Sequence, residues 1–112
     1  MKKIEAIIRQ EKLERVKMLL ATLGYHAMTI AEVSGVGKQK GFPFRWGSKE
    51  YALGVLPKLK IEFVVMDEDV SQVLSAIVKG AKTGDIDDGK IFIIPIEDVV
   101  RVHTGDSGIN AV

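Results

Sequence analysis

Residues 60–81, KIEFVVMDEDVSQVLSAIVKGA, decide the fold, because residues 3–24, KIEAIIRQEKLERVKMLLATLG, repeat their pattern 57 positions earlier. The shift lays Lys3-Ile4-Glu5 on Lys60-Ile61-Glu62 and Ile7-Ile8 on Val64-Val65. It also lays Glu11 on Glu68, Leu13 on Val70, Val16 on Val73 and Leu20 on Ile77. In each copy a short β-branched run, Lys3–Arg9 and Lys58–Met66, predicts a strand. Apolar residues at helical spacing follow: Leu13, Val16, Leu19, Leu20 and Leu23 before the Gly24 stop, and Val70, Val73, Leu74, Ile77 and Val78. The expected helices are Glu11–Leu23 and Asp67–Ala81. Tyr25–Val36 reads as a second strand, with His26 at its start, and Lys90–Ile96 as a fourth. Two tandem strand-helix-strand units predict an α+β, ferredoxin-like double βαβ fold in a single domain over 1–112. Its first and third strands are central, and both helices lie on one sheet face.

One-sided cover predicts apolar-in, polar-out alternation. Yet Ala6-Ile7-Ile8, Phe63-Val64-Val65-Met66 and Ile91-Phe92-Ile93-Ile94 are apolar at successive positions, so both sheet faces are expected to be buried. With no third helix in the chain, the second face predicts self-association in a closed dimer or ring.

Composition removes several function classes. Sixteen Lys and Arg against 15 Asp and Glu leave a net charge of +1, without the basic excess expected of a nucleic-acid binder. The absence of cysteine removes disulfides, thiol catalysis and cysteine-zinc sites, and fits a reducing, cytoplasmic setting. No apolar run approaches the roughly 20 residues of a membrane span. The start Met1-Lys2-Lys3 runs into a strand containing Glu5, unlike a signal peptide.

Between the repeats lies VGKQKGFPFRWGSKEYALGVL, Val36–Leu56, which shows neither strand alternation nor a helical stripe. Gly37, Gly41, Gly47 and Gly54 interrupt it, and Pro43 opposes a helix or an interior ladder position. Lys38, Lys40, Arg45 and Lys49 against Glu50 give it a local charge of +3. Phe42, Phe44, Trp46 and Tyr51 stand among those cations, a mixture suited to docking on a partner. The stretch from about Lys40 to Lys49 is expected to be mobile without one.

Three cationic groups invite an anion. Gly35, Gly37 and Gly41 surround Lys38-Gln39-Lys40, where exposed backbone N–H groups and lysines could meet phosphate. Gly89-Lys90 follows Thr83-Gly84 and two aspartates directly before a strand; on spacing alone this is an Asp-Gly turn. Arg101 and His103, two apart, are expected on one face of a strand. His26 and His103 are the chain's two histidines and show no nucleophile–base spacing, so catalysis is not predicted. Asp85, Asp87 and Asp88 read as a solvated loop. The tail from His103 to Val112 has little to bury.

Loop, repeat, Gly-Lys turn and late arginine together resemble the PII family of nitrogen-regulatory signal-transduction proteins. The matching stretches are KKIEAIIR, MTIAEVSGVGKQKG, LPKLKIE and TGDIDDGKIFIIPIEDVVRV, so the resemblance runs from Met1 to about Gly105. It implies a homotrimer with adenine nucleotide, ADP or ATP, bound between protomers. It also implies a T-loop over residues 37–56, a nucleotide loop over 82–90 and a C-terminal tail over 103–112. Ile7, Thr29, Gly35 and Val64 match adenosine-pocket positions, with Val36 beside them. Gly37, Lys38 and Gln39 match the T-loop base, where phosphates and Mg²⁺ sit, Gln39 being the Mg²⁺ contact. Asp88, Gly89, Lys90, Arg101 and His103 fall at the phosphate-binding positions. Gln39 and Lys58 match residues used for 2-oxoglutarate, and Tyr51 matches a tyrosine that some members uridylylate.

Three departures stand out. Asp87 replaces a usual glycine, His103 a usual arginine, and Lys38 a usual arginine whose fork grips phosphate at two points. The tip FPFRWGSK also differs from the common one, marking a divergent member. The expected function is a non-enzymatic sensor that regulates a transporter or metabolic enzyme in nitrogen metabolism. It would be cytoplasmic, and peripheral at the membrane when bound to a transporter. Phe42, Phe44, Arg45, Trp46, Lys49 and Tyr51 would do the docking. ADP is expected to bind at least as tightly as ATP, with a weak or absent 2-oxoglutarate effect. The alternative is a small trimeric nucleotide-hydrolysing or metal-binding protein of the same fold. A ferredoxin-like RNA-binding module is the third reading, and lacks the stacking aromatics on its central strands.

Overall fold

Strand β1 (Lys2–Ile8) lies at the centre of a four-stranded antiparallel sheet. The computed structural model describes the backbone of residues 1–38, 44–46, 49–51 and 53–112, and the side chains of residues 1–36 and 55–112. Helix α1 (Leu13–Thr22), strand β2 (Thr29–Lys38) and the short strands β3 (Phe44–Trp46) and β4 (Lys49–Tyr51) follow. The second repeat supplies β5 (Leu53–Val65), α2 (Val70–Ala81) and β6 (Gly89–Pro95). The sheet order is β2-β5-β1-β6, so the first strands of the two repeats are central, as the ferredoxin-like reading requires.

The repeat extends to backbone detail. A 3-10 turn precedes each helix, Gln10–Lys12 and Asp67–Asp69, again 57 residues apart. The residues entering these turns, Arg9 and Met66, share one extended conformation (φ −69°, ψ 142° and φ −70°, ψ 146°). The helices therefore begin at Leu13 and Val70, later than the apolar spacing predicts.

Alternation along the central strands sends Ile4, Ala6 and Ile8, with Leu59, Ile61, Phe63 and Val65, into the core. They pack against Val16 and Leu20 of α1 and Val73, Ile77 and Ala81 of α2. Each such aliphatic side chain contributes about 1.5–3 kcal/mol on burial. The helices approach closely at Gly80, where an added Cβ would stand 3.0 Å from a Val16 methyl.

The opposite sheet face corrects the expectation of two apolar faces. Ile7, Val64, Phe92 and Ile94 do belong to it, but its centre is ionic. Glu5 lies directly opposite Glu62 in the ladder, a repulsive placement for like charges. Lys3 answers Glu62 at 3.0 Å, and Lys60 answers Glu62 at 3.0 Å and Glu5 at 3.7 Å. The hydrogen bonds from Lys3 and Lys60 hold the Glu62 carboxyl below its ordinary range.

Three further expectations change. The second strand begins at Thr29 rather than Tyr25, which leaves His26 exposed in the connector. Gly24, at φ 90°, ends α1, and the Tyr25 hydroxyl is drawn to the other repeat. It donates to Asp69 Oδ2 at 2.5 Å and accepts from the Met66 N–H at 3.2 Å.

The long interruption is partly strand. β2 and β5 stay paired through Val36↔Val55, Gly37↔Gly54 and Lys38↔Leu53, and β3 pairs with β4. Beyond the Ile8↔Leu59 pair, β5 has β2 alone for a neighbour and forms a two-stranded ribbon. A ribbon clear of the core needs no apolar alternation, hence the missing signal. The expectation of mobility over 40–49 falls on a stretch of which only 44–46 and 49 are described.

Arg101 and His103 do not share a strand. Residues 102–104 form a turn closed by the Val100↔Ser107 bridge, with the Gly105 N–H donating to the Arg101 carbonyl at 2.7 Å. The tail then makes a 3-10 turn, Gly108–Ala111, whose first N–H donates to Asp98 Oδ1 at 2.8 Å.

Candidate functional site

The loop between α2 and β6 is built around the Asp88 carboxylate. It accepts the N–H groups of Thr83 (2.8 Å) and Gly84 (3.0 Å), the Thr83 hydroxyl, and Arg9 Nε (3.2 Å). Partial burial alone would raise the Asp88 pKa. The bonds from Thr83, Gly84 and Arg9 outweigh it and hold the carboxyl far below the usual range. Arg9 also lies 4.0 Å from Asp85. The Asp-Gly turn expected here is thus a loop closed on its own carboxylate and fastened to the end of β1.

Gly89 follows at φ 123°, and an added Cβ would fall 1.8 Å from the Ile7 carbonyl oxygen. Only glycine permits that approach, which starts β6 beside β1 in the Gly89↔Ile8 register. Lys58 reaches across from β5. It is 7% exposed, and its ammonium donates to the Asp87 carbonyl. Burial, with the Arg9 charge second, pushes the Lys58 pKa down against the pull of Asp87 and Asp88.

These features surround one cleft of about 230 Å³. Its walls include Ile7, Gly35, Val36, Lys58, Gly89 and Lys90, drawn from the four strands of the sheet, together with Leu56, Ile86, Asp87 and Phe92. Gly35 sits inside β2 without positive φ, and among the described residues nothing lies within 4 Å of where its Cβ would be. The protomer's own packing does not require a glycine there. A strand glycine of this kind often marks close approach by a ligand or another backbone.

Thr29 and Val64 line a different cleft, of about 550 Å³, with Met28, Glu62, Val99, Ala111 and Val112. No residue is common to the two clefts. Arg101 and His103 are exposed in the turn after Val100 and line neither. Asp88 is engaged by Thr83, Gly84 and Arg9. Gly37 and Lys38 continue β2 beyond the cleft wall, with their backbones alone described. Gln39, and with it the expected Mg²⁺ and 2-oxoglutarate contact, lies outside the described residues, as does Phe42. Phe44, Arg45, Trp46, Lys49 and Tyr51 are placed in β3 and β4 by backbone pairing.

Sequence reasoning gave no individual role to Arg9, Thr83, Leu56, Ile86 or Phe92, which it named only within longer stretches. Arg9 and Asp88 are 79 residues apart, and no local pattern announces their pairing. Among the described residues no group of three His, Cys, Asp or Glu side chains could hold a metal ion, and no helix is long and apolar enough to cross a membrane.

Comparison with known proteins agrees with this architecture. The family described as "Nitrogen regulatory protein P-II" matches residues 1–106. The chain is 54% identical over 112 residues to nitrogen regulatory protein P-II 2 of Methanothermobacter thermautotrophicus, covering 100% of this chain and 97% of the relative. Nitrogen regulatory protein P-II of Microchaete diplosiphon is 50% identical over 112 residues, covering 100% of both chains. That of Porphyra purpurea is 49% identical over 106 residues, covering 95% of each. With the double βαβ fold in place and the similarity running end to end, this chain belongs to the nitrogen regulatory protein P-II family.

Proposed function

We propose that this protein is a non-enzymatic, homotrimeric sensor that binds ADP or ATP in clefts between protomers. Through residues 37–56 it would bind and release a transporter or metabolic enzyme of nitrogen metabolism. The observation that carries the reading is the convergence of Ile7, Gly35, Val36, Lys58, Gly89 and Lys90 on one cleft. It combines apolar walls for a base with two ammonium groups and a glycine-permitted backbone approach for phosphate. Thr29 and Val64, implied for the same ligand, line a cleft that shares no residue with the first. That is the arrangement expected where one copy supplies half of a site and its neighbour the other half.

The unpartnered sheet face supports association. Ile7, Val64, Phe92 and Ile94 would be covered, while the paired Lys3, Glu5, Lys60 and Glu62 could enter an interface already neutralised. Switching requires a nucleotide that binds the two states of the 37–56 segment with different affinity. Calorimetric titration with ADP and ATP, beside light scattering for mass, tests the reading. Nucleotide binding by a trimer without product formation is expected. A monomer, or a trimer that binds neither nucleotide, overturns it.

A further inference from the structure

Asp87 is the acidic residue of the cleft wall. Among the described residues, its Oδ2 is a buried side-chain oxygen without a hydrogen-bond partner. Its neighbour Asp88 has four donors, and Asp87 Oδ2 has none among the described residues. The Lys58 ammonium attracts this carboxylate without bonding to it, because it donates to the Asp87 main-chain carbonyl instead. An unpaired carboxylate oxygen held away from water is costly. Asp87 shares the cleft wall with Lys58 and Lys90, so its charge acts on any anion drawn to them.

We propose that Asp87 sets the charge preference of the cleft, opposing each additional phosphate and so favouring adenosine diphosphate over the triphosphate. The inference rests on the nucleotide reading above. Two lysines against one carboxylate leave the described cleft walls at +1, a charge a diphosphate already exceeds. The additional γ-phosphate adds repulsion from Asp87 without a further described cation in the cleft wall to offset it.

The test compares the wild type with Asp87→Asn, which keeps shape and removes charge, and with Asp87→Gly, which removes the side chain. Because no described residue donates to Asp87 Oδ2, both variants are expected to fold. Without nucleotide, Asp87→Asn should melt at or above the wild-type temperature. Calorimetry with ADP and ATP, in chelator and in Mg²⁺, gives the decisive ratio. Asp87→Asn should tighten ATP about tenfold and ADP less, the scale of one like-charge contact in a partly buried site, with Asp87→Gly moving the same way. A wild type that binds neither nucleotide overturns the nucleotide reading and this proposal with it. Binding with an unchanged ATP:ADP ratio in both variants overturns the assignment to Asp87 alone. Loss of Mg-ATP binding in Asp87→Asn also overturns it, because Asp87 would then hold a cation.

Discussion

The Lys58 ammonium donates a hydrogen bond to the main-chain carbonyl of Asp87, fastening β5 to the loop that precedes β6. One buried cation thereby braces the loop and charges the cleft floor. Replacing it by methionine, of similar length, should separate the two roles. Lys58→Met leaves the Asp87 carbonyl unanswered and should cost about 1–2 kcal/mol in urea unfolding. Nucleotide affinity should fall about tenfold, one charge-assisted contact. Unchanged affinity would remove Lys58 from the site.

Two glycines in the same cleft should respond in opposite ways. Gly89→Ala forces a Cβ onto the Ile7 carbonyl at positive φ and should destabilise the protein by more than about 2 kcal/mol. Gly35→Ala meets open space inside a strand and should be neutral or stabilising by up to about 1 kcal/mol. The added methyl should nevertheless weaken nucleotide binding. Equal binding by wild type and Gly35→Ala would count against ligand approach at β2.

Acid should reveal the Asp88 loop. Its folded pKa lies below the unfolded value, so its contribution is fully present above the ordinary aspartate value of about 3.9 and is lost as pH falls below it. Asp88→Asn should lower stability at pH 7 by about 1–3 kcal/mol. It should also flatten the pH dependence between about pH 5 and 2. Denaturant melts across that range, wild type against variant, measure both, and parallel curves would contradict the assignment.

The proposed assembly should be breakable from Val64. Val64→Asp places a carboxylate opposite Lys3 and beside Glu62, where it adds a charge that the face's ion pairs leave in excess, and dissociation of the proposed trimer is expected. Light scattering on dilute protein reads the mass, with circular dichroism to show that the protomer still folds. A folded Val64→Asp protein that keeps the wild-type mass would contradict the proposed interface.

Deleting residues 40–49 should leave mass and nucleotide affinity at wild-type values while abolishing nucleotide-dependent capture of a partner. Loss of the proposed trimer on deletion would show that the segment contributes to assembly.

The fold was legible because its determinants are local and doubled. The spacing of Leu13, Val16 and Leu20 recurs at Val70, Val73 and Ile77, and both sets turn toward the same sheet face. The ionic centre of the other face was hidden because Lys3, Glu5, Lys60 and Glu62 become neighbours only through the β1–β5 register. The ribbon was hidden for the opposite reason, since strands with no face to bury have no pattern to show. Six of the residues singled out from sequence line one cleft, while Arg9, which anchors the adjoining loop through Asp88, gave no signal.

The ribbon has a mechanical consequence. Gly35 and Leu56, opposite each other in the ladder, are both cleft wall and the root of the paired strands that lead outward. From Gly35 to Lys38 the ladder runs about 10 Å, and cross-strand bonds along it resist independent bending of either chain. A tilt of about 10° imposed at the root would therefore swing the far end by about 2 Å over that length. Bound at the root, a small ligand would act on a lever arm, and the protein could report occupancy by direction without unfolding anything.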